Sequence, residues 1–502
     1  MVNWYREASR IAVPVAAALA CAPVGYAASL AEHRAVAPRL ALFEIWVEEQ
    51  RAHLHQPGVA VGIVHDQELV WAKGFGSADV AAGRAAAPDT VFRLGSVTKT
   101  FTATALLQLR DAGRLSLDDP VREHLPWFGY RGPSPEGPQI TVRHLLTHTA
   151  GLPREAPLPY WTDREFPTLE QLAEAVREGV GLFEPGEGYE YSNLGIALAG
   201  EVVAAASGMP WAEYVRRQVL DPLGMGSTSA AEPRAPPGRL AAGYLIRRPD
   251  GDAPLAPPTL SRALAPAAEM SSTVEDLARF VSAHLRDAGD PGPAILAPRT
   301  LREMHRVHWL APSWQSGRGL GFGVWRQDGR TLVGHAGWVA GHRSQIAFDP
   351  ATGVGVVVLT NSDEGGPGSY VRQAFELVAP AIETAVAAEP ELPEAEDPER
   401  FAGTYHTPWG EVTDVLVLDG RLAMYDRSHP PVEDVEGSLT KLVPEGPNAF
   451  RIETDDDTGS LVVFELEDGR VARVKVGENY LFPEGCGRVG PDLRCTWSGE
   501  DR

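Results

Sequence analysis

The order of the segments within residues 59–360 most constrains how this chain can fold. Strand-like segments lie at both ends of this part of the chain, and helices lie between them. Residues 59–64 and 69–72 are dominated by β-branched and other apolar side chains and read as two strands around a turn. Four more strand-like segments come late, at 320–325, 331–334, 345–348 and 354–360. We therefore predict one sheet built from both ends of this stretch, with the helical middle forming a second lobe, an α+β layout.

The last quarter of the chain differs in charge and in pattern. The chain of 502 residues has a net charge of −22, and −15 of it lies from Glu389 onward, where 26 acidic and 11 basic residues occur. Residues 389–400 are acidic and contain several prolines, which is typical of a linker. Beyond them, Asp419-Gly420 and Asp468-Gly469 each separate two apolar runs and so predict β-hairpins. We expect a small antiparallel barrel over 401–485.

The overall charge limits the partners of this protein. An excess of 67 acidic over 45 basic residues argues against nucleic acid or an anionic lipid surface as the main partner. No Cys/His cluster has zinc spacing and no glycine loop suits a phosphate, so we expect no metal and no cofactor. The expected partner is a small-molecule or peptide substrate, and the sequence does not indicate an oligomeric state.

The first 27 residues have the features of an export signal. Arg6 and Arg10 precede an apolar run, 11–19, which is too short to span a bilayer. Small residues follow, and Gly25-Tyr26-Ala27 suits signal peptidase, with cleavage after Ala27. We expect a periplasmic or secreted bacterial protein with no stable membrane span. A helix packed on the first domain and lipidation at Cys21 are the alternatives.

The cysteines agree with export. If Cys21 leaves with the signal, Cys486 and Cys495 remain, both in a Gly-rich tail over 486–502. A disulfide closing that short loop is compatible with an oxidising compartment. Two free thiols are the alternative.

Ser96-Val97-Thr98-Lys99, at the start of a predicted helix over 96–111, is the first candidate for chemistry. Positions i and i+3 share a helix face, so the Lys99 amine is expected beside the Ser96 hydroxyl. Desolvation would lower the pKa of Lys99 toward that of a usable base. The helix N-terminus and the Ser96 amide would favour an oxyanion. Taken alone, such a pairing also arises by chance.

Tyr191-Ser192-Asn193 is the second candidate. A phenol near two cations can ionise and relay a proton, while an Asn side chain can orient a substrate amide. The structural alternative is a tyrosine packed at a helix entry, with Asn193 as the cap of that helix.

His335-Ala336-Gly337, just before Trp338, is the third candidate and is expected on a strand edge. A strand edge with glycine lets a substrate pair with the backbone, and the Trp338 amide could supply a second oxyanion donor. The structural alternative is a turn histidine. No Gly-x-Ser-x-Gly elbow occurs, which argues against an α/β-hydrolase.

Together the three motifs resemble the serine β-lactamase and penicillin-binding-protein family in their order and wide spacing. The most similar branch is that of class C β-lactamases, D-alanyl-D-alanine carboxypeptidases and related esterases. Supporting segments match too, at 92–95, 144–153, 183–186 and 270–273. The resemblance implies a serine hydrolase domain over 38–388, in which an antiparallel sheet is flanked by helices and an all-helical lobe. The two histidines of 144–153 are expected to be structural turn residues.

The C-terminal part resembles the lipocalin-like domain appended to some members of this family. The resemblance rests on Phe401-Ala402-Gly403-Thr404-Tyr405 and on the hairpins that follow. We expect this barrel to be a separable module that covers or positions the substrate cleft. A chain ending near Ala388 is then expected to fold by itself.

The resemblance implies a role for each motif residue. Ser96 would be the acyl-accepting nucleophile, Lys99 its activating partner, and Tyr191 would share the base role in acylation and deacylation. The substrate would contact Asn193, His335 and Gly337. The oxyanion hole would consist of the backbone N–H groups of Ser96 and Trp338.

One departure from the family pattern bears on the substrate. Familiar members carry Lys-Thr-Gly where this chain has His335-Ala336-Gly337, a form that looks like the esterase and D-aminopeptidase side. We predict an exported serine hydrolase that forms a covalent acyl-enzyme on peptides, amides or esters. The alternatives are a β-lactamase or D-Ala-D-Ala carboxypeptidase proper, an acyltransferase using the same intermediate, and a non-catalytic penicillin-binding sensor.

Overall fold

The computed structural model describes most of the chain. The described residues are 28–502 without 232–237, 249–250, 252, 288–289, 291–292, 387–396, 432–433, 453–458, 468, 487, 490–494 and 497–502. The predicted export signal over 1–27, most of the predicted linker and most of the tail lie outside the described residues.

A nine-stranded, fully antiparallel sheet forms the centre of the main domain. In spatial order its strands are Arg84–Ala85, Glu68–Asp79, Gly58–His65, Val354–Thr360, His342–Asp349, Arg330–Val339, Gly323–Gln327, Ser316–Arg318 and Trp309–Leu310. The first long strand pairs with the last, with Val59 opposite Thr360, so both ends of the stretch meet in one sheet. The predicted α+β fold is therefore confirmed.

Both faces of this sheet are covered, which explains the continuous apolar runs of its central strands. Strand Val354–Thr360 is buried at every position. Successive side chains alternate between two cores. Ala60 contributes to a first core shared with the helical lobe, and Val59 and Val61 contribute to a second core on the opposite face.

The helical lobe is built from the middle of the chain and covers the first core. Its helices are Thr98–Asp111, Val121–His124, Val142–Thr147, Tyr160–Asp163, Leu169–Ala175, Asn193–Ser207, Trp211–Val215, Asp221–Leu223, Ala265–Ala268, Val274–Leu285 and Pro298–His305. In the described part of the chain no single helix is long and apolar enough to cross a membrane. The bent pair Asn193–Ser207 and Trp211–Leu223 passes that test only when its two helices are taken together, and the first of them is mostly buried.

Four helices of the described chain cover the second core. They are the short Ala28–Ala31, the first long helix Ala37–His53, here called the first helix, and the closing helices Gly368–Leu377 and Ala379–Val386. The closing helices are separated at Val378, just before Pro380, whose ring disfavours a continuous helix. Trp46 of the first helix is fully buried and meets Tyr370 edge to face, with ring centroids 5.5 Å apart.

The C-terminal residues form a closed barrel of eight antiparallel strands in chain order. Its strands are Gly403–His406, Val412–Leu418, Arg421–Asp426, Thr440–Gly446, Ala449–Ile452, Leu461–Glu467, Arg470–Val476 and Asn479–Pro483. The predicted hairpin at Asp419-Gly420 is present, because both residues take the positive φ that such a two-residue turn requires, 51° and 74°. Aromatic side chains fill the barrel, and the ring centroids of Phe401 and Phe464 are 4.6 Å apart.

The barrel packs on the first helix. Leu418, Tyr425 and other outward-facing barrel residues belong to the second core. Trp46 donates its indole N–H to the Pro431 carbonyl at 3.0 Å, and Arg39 forms an ion pair with Asp419 at 2.7 Å. The described residues that line the cleft over Ser96 include none from the barrel, which contradicts the expectation that the barrel covers the cleft. Outward apolar residues of the barrel are buried more effectively against another apolar surface than over a wet cleft.

Cys486 is disulfide-bonded in this structure. Its pairing with Cys495 stays a prediction. Short strands Arg488–Val489 and Cys495–Thr496 pair with each other in the same tail.

Candidate active site

Ser96 and Lys99 lie side by side at the start of a buried helix. Ser96 is in a 3₁₀ turn, Gly95–Val97, that leads directly into the helix Thr98–Asp111. Lys99 Nζ donates hydrogen bonds to Ser96 Oγ at 3.0 Å and to the Ala267 carbonyl at 2.8 Å. The spacing i, i+3 therefore brings the amine to the hydroxyl as predicted.

The environment of Lys99 suits a proton acceptor. Its side chain is completely buried, and desolvation lowers its pKa to about 7, although the negative charge of Glu155 partly opposes this shift. At neutral pH a large fraction of this amine is therefore neutral and can accept a proton from Ser96.

Tyr191 faces the same pair from the second motif. The centre of its ring lies 5.1 Å from Lys99 Nζ and 5.0 Å from Arg154 Cζ. Burial raises the pKa of Tyr191 to about 12, although a hydrogen bond with the Ser96 side chain and the charge of Arg154 act in the opposite direction. The expected ionised phenol is therefore not the resting state, because desolvation outweighs the nearby cations. Tyr191 is instead a neutral hydroxyl, able to pass a proton on.

His148 holds the Tyr191 loop in place. Its Nδ1 accepts a hydrogen bond from the Ser192 N–H at 3.1 Å, and its ring lies 4.5 Å from the ring of Tyr191. His148 also ends the helix Val142–Thr147 in a left-handed conformation, with φ 58°. It is a turn residue, as expected, but it also contacts the second motif, which sequence reasoning missed.

Asn193 is held by an acidic residue. Its Nδ2 donates to Glu155 Oε1 at 2.6 Å, while Oδ1 is buried and has no hydrogen-bond partner. Because a carboxylate only accepts, this contact sets the orientation of the amide. One N–H of Asn193 is thus used by Glu155, and Oδ1 is the acceptor that a substrate amide would meet; the contact between Asn193 and a substrate stays a prediction. Glu155 lies in a loop with no local sequence signal.

The third motif lies on a partly open strand edge. Strand Arg330–Val339 pairs with Gly323–Gln327 only as far as Gly334, so His335 to Val339 extend past that neighbour. Substrate backbone could pair with this stretch, as the sequence suggested.

Two glycines let the third motif approach the nucleophile. A Cβ on Gly337 would lie 1.9 Å from the Leu94 carbonyl oxygen, and one on Gly95 would lie 2.5 Å from the carbonyl oxygen of Trp338. Any other residue at either position would push the strand from the 3₁₀ turn. The structure thus brings the segments of the two predicted oxyanion donors, Ser96 and Trp338, into direct contact.

His335 is neutral in this site. It is 9% exposed, and its Nδ1–H donates to the Ala336 carbonyl at 2.6 Å. Burial first, and then the charge of Lys99, lower its pKa to about 3. A neutral imidazole offers a carboxylate no permanent charge.

Cations nevertheless line the cleft. The cleft over Ser96 has a volume of about 530 Å³, and Arg154, Arg318 and Arg343 line it. No Asp or Glu occurs among the described residues that line it. Sequence reasoning missed these arginines, because they lie far apart in a chain that has 41 of them.

The comparisons with known proteins agree with this geometry. The Beta-lactamase family model matches residues 43–379, so the chain belongs to the Beta-lactamase family. Penicillin-binding protein 4 of Amycolatopsis lactamdurans is 30% identical over 372 residues, which cover 72% of this chain and 96% of that protein. Protein flp of Staphylococcus aureus (strain N315) is 27% identical over 310 residues, which are 61% of this chain and 60% of that protein.

Solved structures show the same fold. The octameric penicillin-binding protein homologue from Pyrococcus abyssi matches with a TM-score of 0.61 and 26% identity, covering 88% of this chain and 99% of the other. A D-stereospecific amidohydrolase from Streptomyces sp. matches with a TM-score of 0.56 and 28% identity, covering 67% of this chain and 98% of the other.

Proposed function

We propose that this protein is an exported serine hydrolase that forms a covalent acyl-enzyme on amide or ester substrates. The observation that carries the proposal is the fully buried Lys99 amine, 3.0 Å from Ser96 Oγ, with its pKa lowered to about 7. A neutral amine in contact with a hydroxyl at a helix N-terminus is the arrangement that acyl transfer to serine needs.

Acylation begins with neutral Lys99. As Ser96 Oγ attacks the substrate carbonyl carbon, its proton moves to Lys99 Nζ and the carbonyl oxygen becomes an oxyanion. The backbone N–H groups of Ser96 and Trp338 are the candidate donors to that oxygen. The Tyr191 hydroxyl gives its proton to the leaving nitrogen or oxygen and regains one from Lys99. The scissile bond then breaks and Ser96 carries the acyl group.

Deacylation reverses these proton movements. A water molecule attacks the ester carbon, and its proton passes through the Tyr191 hydroxyl to neutral Lys99. The new tetrahedral intermediate then collapses, and Lys99 returns this proton to Ser96 Oγ as it leaves. The products are an acid and the free enzyme. An amine or alcohol in place of water would give acyl transfer through the same intermediate.

The substrate class is narrowed by charge. The neutral His335 supports small neutral esters or amides, whereas Arg154 and Arg318 support a substrate with an anionic group. Two proteins similar to this chain, penicillin-binding protein 4 and the D-stereospecific amidohydrolase, are named for penicillins and for amides. We infer an amide or ester substrate in which an anionic group is tolerated.

Labelling of Ser96 tests the proposal. The full-length protein and its Ser96→Ala variant are incubated with a fluorophosphonate probe and with fluorescent penicillin, and the adduct is located by mass spectrometry. We expect an adduct on the peptide that contains Ser96 and none in the variant. Absence of any adduct in the wild type contradicts a nucleophilic Ser96.

Measuring turnover then distinguishes an enzyme from a non-catalytic penicillin-binding sensor. p-Nitrophenyl esters and D-Ala amides are followed with and without an added amine. Labelling without turnover of any substrate would favour the penicillin-binding sensor, and products that contain the added amine would favour an acyltransferase.

A further inference from the structure

Two tryptophans stand exposed beside the cleft and stack on each other. Trp161 is 48% exposed and Trp338 is 46% exposed. Their ring centroids are 6.0 Å apart, with 28° between the ring planes. Trp161 belongs to the helical lobe, and Trp338 directly follows the third motif. These two residues, here called the tryptophan pair, therefore connect the two walls of the site. Large aromatic surface left in water next to a cleft points to a ligand.

The Trp338 indole is anchored rather than loose. Its Nε1–H donates to Asp363 Oδ1 at 2.7 Å, and the same oxygen accepts the N–H of Gly341 at 3.1 Å. The ring therefore has a defined orientation at the end of the strand that carries the third motif.

Contacts of the neighbouring residues Tyr160 and Phe166 fix the position of Trp161. The preceding residue, Tyr160, is 1% exposed and donates its hydroxyl to Glu155 Oε2 at 2.8 Å. The other oxygen of Glu155 accepts from Asn193, so the helix that carries Trp161 is tied to the second motif. Phe166 meets Trp161 edge to face at 5.2 Å. A fixed and half-exposed ring makes a pre-organised contact surface.

The direction of strand Arg330–Val339 indicates which part of a bound substrate contacts the tryptophan pair. The leaving group must lie near Tyr191, which donates its proton, and the Tyr191 ring is 6.1 Å from that of His335. Trp338 is three residues further along the strand, about 10 Å away. The leaving group thus occupies the His335 end of the cleft, and the acyl substituent extends toward Trp338.

We propose that the tryptophan pair is an acyl-side subsite that selects substrates with an aromatic or flat apolar acyl group. This proposal rests on the proposed hydrolase function. A planar ring can pack against Trp161 and Trp338, whereas a short acyl chain does not reach them. The pair is then a specificity determinant that acts on binding and on the rate of acylation together.

The test compares esters that share one leaving group. The kcat/KM values of p-nitrophenyl phenylacetate and p-nitrophenyl acetate are measured for the wild type and for Trp161→Ala, Trp161→Phe and Trp409→Ala. Trp409 is the matched control, since it is 91% exposed and lies in the barrel. We expect the phenylacetate-to-acetate ratio to fall about tenfold in Trp161→Ala, less in Trp161→Phe, and not in Trp409→Ala.

A binding measurement keeps this test separate from that of the hydrolase function. Binding of the same two esters to Ser96→Ala and to Ser96→Ala/Trp161→Ala is measured by calorimetry. Tighter binding of the phenylacetate that is lost with Trp161 supports the subsite even if the wild type turns over neither ester. An unchanged ratio in Trp161→Ala, or equal binding to both proteins, overturns the subsite but leaves Ser96 labelling unaffected.

Discussion

The Nδ1 atom of His148 accepts the backbone N–H of Ser192, the residue between Tyr191 and Asn193. This contact makes His148 a positioning residue for the second motif. His148→Gly keeps the left-handed backbone but removes the acceptor, and we expect kcat to fall roughly 10- to 100-fold. His148→Asn, which also tolerates that conformation and retains an acceptor, should lose less.

A double-mutant cycle with Tyr191→Phe distinguishes positioning from general destabilisation. If His148 acts through Tyr191, the losses in kcat will not add, whereas losses through stability alone will add. Thermal unfolding of each variant serves as the control. Additive losses would contradict the positioning role.

The buried Lys99 predicts the pH dependence of acylation. Its neutral form is the reactive one and its pKa is about 7, so kcat/KM should rise with pH through 7 and then level off. Because the pKa of Tyr191 is raised to about 12, no further inflection is expected up to pH 9. A profile that is flat from pH 5 to 9 would show that Lys99 is not the base.

Replacing Lys99 by arginine separates charge from proton transfer. Lys99→Arg keeps a cation but cannot accept a proton, so we expect a loss of about 10²- to 10⁴-fold in turnover. Near-wild-type rates in this variant would reduce Lys99 to an electrostatic aid. Circular dichroism of the variant controls for folding, since the larger side chain enters a fully buried position.

The arginines that line the cleft predict a preference for substrates that carry a carboxylate. We expect Arg318→Gln to lower kcat/KM for carboxylate-bearing substrates about tenfold more than for neutral esters, the value of one charge-assisted hydrogen bond. Arg326→Gln is the control, because Arg326 is exposed, is not among the described residues that line the cleft, and donates from its guanidinium to Thr331 Oγ1 and the Gly329 carbonyl. Equal losses on both substrate types would assign Arg318 a structural role.

His335→Lys tests whether the neutral charge of His335 limits the preference for carboxylate substrates. A lysine at this wall should shift preference toward carboxylate substrates by about 1–2 kcal/mol. Because the pKa of the wild-type His335 is about 3, its charge should not change the preference between pH 5 and 9. A change of preference near pH 6.5 in the wild type would contradict a neutral, buried imidazole.

The contact between the barrel and Trp46 predicts the effect of truncation. A chain ending at Val386 loses the cover of Trp46 and Arg39, and we expect its Tm to drop by at least about 5 °C. Labelling of Ser96 should persist, because the described residues that line the cleft include none from the barrel. Unchanged stability would show that the contact with the barrel does not stabilise the main domain, and loss of folding would contradict the prediction of a separable module.

The sequence alone was sufficient for features that depend on local order. Ser96 and Lys99 are three residues apart at a helix start, so helical geometry itself predicts their contact. The sheet could be predicted because its central strands are continuous apolar runs, and the hairpin at Asp419-Gly420 because few other residues tolerate that turn.

Only the tertiary structure decided what depends on residues distant in the chain. Burial and long-range partners, which no spacing encodes, determine how far the Lys99 pKa falls and keep Tyr191 neutral. They also give His148 its contact with Ser192 and Asn193 its contact with Glu155. The barrel position was likewise set by apolar side chains whose partner surface, the first helix, lies at the opposite end of the chain. Local periodicity determines elements, whereas desolvation and pairing in the site follow from how those elements pack.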